Sequence, residues 1–77
     1  VMAREGAVKW LRGLAERKGW EVECHGNAML RTNPAAQRWR YGLWHRGRLL
    51  LWGPWCIRWH DAERALARRV RRIREAE

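Results

Sequence analysis

The stretch from Arg38 to Trp59, RWRYGLWHRGRLLLWGPWCIRW, constrains the fold more than any other part of the chain. Arg38 to His45 alternates with period two, Arg48 to Trp52 returns, and Trp55 to Trp59 alternates again. Such alternation belongs to strands, whose successive side chains point to opposite faces of a sheet. Arg46-Gly47 and Gly53-Pro54 interrupt it and read as two tight turns. Two-residue turns at both places fix a register. Trp39, Tyr41, Leu43, Leu50, Trp52, Trp55, Ile57 and Trp59 then share one face, with His45 and Arg48 at its end. Arg38, Arg40, Trp44, Arg46, Leu49, Leu51, Cys56 and Arg58 share the other. The first face is the expected core. The second is basic, with a tryptophan and two leucines set among four arginines.

The flanks predict helices and further strand. Ala7, Trp10, Leu11 and Leu14 recur at helical spacing within Arg4 to Lys18, and Gly19 supplies a stop. Trp20 to His25 alternates, with Trp20, Val22 and Cys24 opposite Glu21, Glu23 and His25. Gly26-Asn27 reads as a hairpin turn, Ala28 to Thr32 as its return strand, and Asn33 to Gln37 as a loop. Asp61 suits a helix N-cap and Glu63 the positive end of that helix. Leu66, Val70 and Ile73 line its inner stripe, with Ala62 beside them. The expected fold is a single α+β domain over residues 1–77. An antiparallel sheet of three to five strands carries both terminal helices on one face and leaves the other open.

At this length a chain buries roughly 60% of its surface. Each Trp buries about 150–250 Å², so one or two of the seven tryptophans are expected to stay partly exposed. The 17 basic residues outnumber the 8 acidic ones, and all but Lys9 and Lys18 are arginine. No acid occurs between Cys24 and His60. GC-rich coding explains arginine over lysine; it does not explain why acids avoid the middle of the chain. Charge for phosphates beside flat rings for bases is what a nucleic-acid surface needs. Arginine adds a planar fork suited to phosphate.

The expected function is therefore non-enzymatic nucleic-acid binding, with DNA favoured over RNA. The candidate contacts are Arg38, Arg40, Arg46 and Arg58 with Trp44 stacking, joined by Arg64, Arg68 and Arg72 on the last helix. The competing reading is a protein interface in which Leu49, Leu51 and Cys56 meet a second copy or an acidic partner protein. Cys24, His25, His45, Cys56 and His60 are weighed as metal ligands. The closely spaced cysteine pairs usual in structural zinc sites are missing, so no metal and no cofactor is expected. Two cysteines are too few for a disulfide scaffold. No apolar run has membrane-spanning length and no signal-peptide pattern opens the chain, so with so few cysteines an intracellular, cytoplasmic protein with reduced thiols is expected, off the membrane. Serine is absent, carboxylates lie only in the flanks, and His25 beside a turn is the one candidate general base.

Two resemblances bear on these readings. The stretch LAERKGWEVECHGNAMLRTNP, with Gly19, Trp20 and Gly26, resembles the HicA-type toxins, which have a double-stranded-RNA-binding-like α-β-β-β-α fold. Ribonucleases of that type carry a catalytic His just after the glycine pair. Here Asn27 and Ala28 stand there and His25 lies before it, which argues against the activity. The second half, a meander followed by DAERALARRV, resembles the arm-binding DNA domains of integrases. That resemblance implies a sheet face bearing Arg and Trp laid into the major groove.

Overall fold

A computed structural model describes residues 7–27 and 34–76. Helix α1 (Lys9–Lys18) leads into strand β1 (Trp20–Gly26). A 3-10 turn (Pro34–Ala36) precedes strands β2 (Trp39–His45) and β3 (Arg48–Trp52), and helix α2 (Trp59–Ala76) closes the chain. The three strands form one antiparallel sheet in the order β1-β2-β3. The α+β class holds, with both helices on one side of the sheet. The expected return strand at Ala28 to Thr32 lies outside the described residues. Gly26-Asn27 does not turn the chain into a hairpin; β1 runs through Gly26, which pairs with Trp39.

Local signals account for most elements. Gly19 ends α1 in the left-handed region (φ 73), where its N–H reaches the carbonyls of Ala15 and Glu16. Arg46 (φ 52) and Gly47 (φ 77) both take positive φ. That is what a two-residue hairpin between right-twisted strands requires. His45 pairs with Arg48 and Trp44 with Leu49, as expected. The register then slips. Leu43 pairs with Leu51 and Gly42 with Trp52, leaving Leu50 as an extra residue in a bulge.

Beyond the bulge, Leu51 turns to the helix side and Trp52 to the open face, the reverse of the expected assignment. Gly53-Pro54 is not a turn. Gly53 N–H donates to Tyr41 O at 2.7 Å, and Cys56 and Trp39 exchange both backbone bonds at 2.6 and 2.8 Å. The chain after β3 thus continues along β2, interrupted where Pro54 has no N–H to offer. The expected strand from Trp55 to Trp59 does not form. Ile57 is 73% exposed, and Trp59 opens α2, with Asp61 in its first turn rather than at its N-cap. Gly53 lies under the helix. A Cβ there would stand 3.1 Å from both Cα and Cβ of Leu66, so glycine lets α2 approach the chain.

The core gathers Leu11 and Leu14 from α1, Tyr41 and Leu43 from β2, and Ala62, Leu66, Ala67 and Val70 from α2. Helix α1 packs on β1 and α2 mainly on β2. Between the C-terminal halves of the helices a groove of about 510 Å³ runs over Leu43, Leu50 and Leu51, bordered by Ile73 and Arg74. Ile73, expected on the inner stripe, is 48% exposed there.

One buried carboxylate joins the helices. Glu63 is 1% exposed and serves α1, not the start of its own helix. It accepts Val8 N–H at 2.8 Å and Arg12 Nε at 3.0 Å, and Arg12 Nη2 bonds its second oxygen. Because α1 has no side-chain cap of its own, Glu63 supplies negative charge at its positive end. The Glu63 hydrogen bond raises the Arg12 pKa above its ordinary value, against the opposing effect of burial.

Candidate nucleic-acid interface

The open face is built in rows that run across the strands. Glu21, Trp44 and Leu49 form the first row; Glu23, Gly42 and Trp52 form the second. His25 and Arg40 begin the third. The face is therefore not free of acid. β1 turns Trp20 and Val22 toward the core, so its alternate residues Glu21, Glu23 and His25 must join the open side.

Gly42 is the low point of this surface, and two indoles fill it. A Cβ on Gly42 would lie 2.3 Å from the Trp44 ring and 3.0 Å from the Trp52 ring. Those rings meet edge to face at 5.1 Å between centroids. His25 stacks on Trp44 at 5.1 Å and 29° and stands edge-on to Trp52 at 5.4 Å. His25 Nε2 also lies 3.5 Å from a Glu23 oxygen. Both arrangements are favoured pairings for ring quadrupoles.

Arg40 is held rather than offered. Its guanidinium lies 3.4 Å from the centroid of Trp52 and 4.3 Å from that of Trp55. Cation–π attraction on both sides fixes it in the sheet's third row. Its Nε is buried without a hydrogen-bond partner among the described residues. Arg38 is also engaged, donating to Ala35 O at 3.0 Å and Gln37 O at 2.9 Å. Arg46 is exposed at the hairpin turn, and Arg58 is exposed just before α2.

The other predicted contacts lie on the opposite side of the molecule. Arg64, Arg68 and Arg72 are exposed on α2, beyond the core that separates them from the open face. Arg64, Arg68 and Arg71 border Trp10 of α1, with Arg71 5.1 Å from its ring centroid. Arg69 donates to the carbonyl of Trp52 at 2.9 Å. Of the eight expected contacts, Arg40 and Trp44 thus lie on the open face and Arg64, Arg68 and Arg72 on the outer side of α2.

The three residues expected at a protein interface separate as well. Leu49 stays on the open face, 38% exposed, and Leu51 packs toward the core. Cys56 is half-buried beside Trp39. Burial raises its thiol pKa and Asp61 adds to the rise. Neither cysteine is in a disulfide.

The described residues form a small basic α-β-β-β-α domain in which one sheet face is covered by no described element. No protein family, curated protein or solved structure matches the chain. Among the described residues, no helix is long and apolar enough to cross a membrane.

Proposed function

We propose that this protein is a non-enzymatic nucleic-acid-binding module that holds the phosphate backbone along the outer side of α2. One observation carries this reading. Arg64, Arg68 and Arg72 stand exposed at four-residue spacing, and among the described residues none of them is in an ion pair. That spacing advances about 6 Å per step along a helix. Arg71 is exposed between Arg68 and Arg72 and widens the strip. Asp61 and Glu75 lie near its two ends and leave its middle cationic. DNA stands ahead of RNA in this proposal, and the cytoplasmic setting belongs to it, resting on the chain's two cysteines.

Anisotropy of a labelled duplex, titrated across salt concentrations in DNA and RNA versions, tests the reading. The variant Arg64→Glu/Arg68→Glu/Arg72→Glu should weaken binding at least tenfold. It should also make the log–log salt slope shallower by about 2.7 for three lost phosphate contacts. Unchanged affinity and slope in a folded triple variant would overturn the proposal.

A further inference from the structure

We infer that the open sheet face seats an unpaired guanine of a single-stranded segment. The inference rests on the nucleic-acid reading but uses none of the α2 residues. Trp44 and Trp52 cover Gly42 and pack against His25, giving a ring surface that neither described helix covers. Both tryptophans are only half-buried, and His25 and Trp55 at the ends of the cluster are exposed. Unpaired bases stack on such rings; paired bases cannot present their faces to a flat sheet.

The acids choose among bases. Glu21 lies opposite Trp44 and Glu23 opposite Gly42, both exposed along the β1 side of the same rings. A carboxylate only accepts hydrogen bonds, through two oxygens side by side. Guanine alone among the bases offers two adjacent donors on its pairing edge, the ring N1–H and the exocyclic amino group. A guanine stacked on the face of Trp44 away from His25, with that edge toward β1, meets an acceptor pair of matching geometry. The same carboxylates repel phosphate, so the backbone must run on the side away from β1, along the β3 edge. The surface is open and its other members are rings, which fits a base held within a strand rather than an isolated nucleotide.

The test uses labelled thymine oligonucleotides with one central guanine, inosine, adenine or cytosine, measured by anisotropy on the intact chain. Guanine should bind about tenfold tighter than inosine, which lacks the amino group. Glu21→Gln or Glu23→Gln should abolish the preference. Trp44→Ala should weaken all four ligands by about tenfold through lost stacking. The triple α2 variant should leave the ranking intact. Equal binding of guanine and inosine, or a ranking that survives both glutamine variants, overturns the inference while duplex binding stands. Guanosine monophosphate competing as well as the guanine oligonucleotide also overturns it, in favour of a free nucleotide. Loss of all binding to duplex and single strand alike would instead remove the underlying reading.

Discussion

Arg40 and Arg68 are the same side chain on opposite sides of one sheet, and the fold treats them differently. On the open face, Arg40 is pressed between Trp52 and Trp55. Its charge is spent on neighbouring rings, and its role is to hold indoles in place. On the outer side of α2, Arg68 is exposed and, among the described residues, has no ionic partner. Arg12 belongs with Arg40, since its guanidinium is bound to Glu63. A high arginine count therefore mixes two populations. One builds the molecule; the other stays exposed.

Substitutions can break this division, beginning with the most costly. Glu63→Ala should destabilise the fold by about 3 kcal/mol, because it strands Arg12 and the Val8 amide together. Chemical denaturation checks this, and Glu63→Gln should recover part of the loss. Gly42→Ala and Arg40→Ala come next, at about 1–2 kcal/mol each. The added methyl must push aside the Trp44 ring, which has solvent to move into, so Gly42→Ala should alter near-ultraviolet circular dichroism more than stability. Arg68→Ala should stay within about 0.5 kcal/mol of the parent while reducing the salt slope of duplex binding. A large stability loss there would show that Arg68 belongs with the bound arginines. The smallest effect lies in thiol chemistry. Cys56 should react with iodoacetamide more slowly than exposed Cys24, with the difference narrowing as pH rises through its elevated pKa.

Much of the fold was legible because its signals are local. The α1 stripe, the Gly19 stop, the alternation of β1 and β2, and the Arg46-Gly47 turn each depend on adjacent residues. The slip at Leu50 was not legible. Leu49, Leu50 and Leu51 are three leucines in a row, and period-two counting reads them equally well in either register. Gly53-Pro54 misled because a hairpin turn and a gap in a ladder favour the same two residues. These two errors placed Trp52 and Trp55 in the core and left Arg40 unpaired. The α2 arginines were readable because an exposed helical face needs no partner to define it. The ring cluster was not, since it depends on where β3 meets β2. One clue was present: a glycine between Tyr41 and Leu43 inside a strand marks a place where other groups come close.

The Glu63 contact has a consequence for how the protein is made. It joins Val8 and Arg12 to a residue 55 and 51 positions downstream. A ribosome adding about 5–20 residues per second needs roughly 3–10 s to cover that distance. During this interval α1 can pack on β1 but lacks its counter-charge and the part of the core that α2 supplies. The N-terminal helix is thus the first segment synthesised among the described elements, and its ion pair is one of the last contacts to form. Nascent chains halted before Glu63 should expose it to chaperones and proteases.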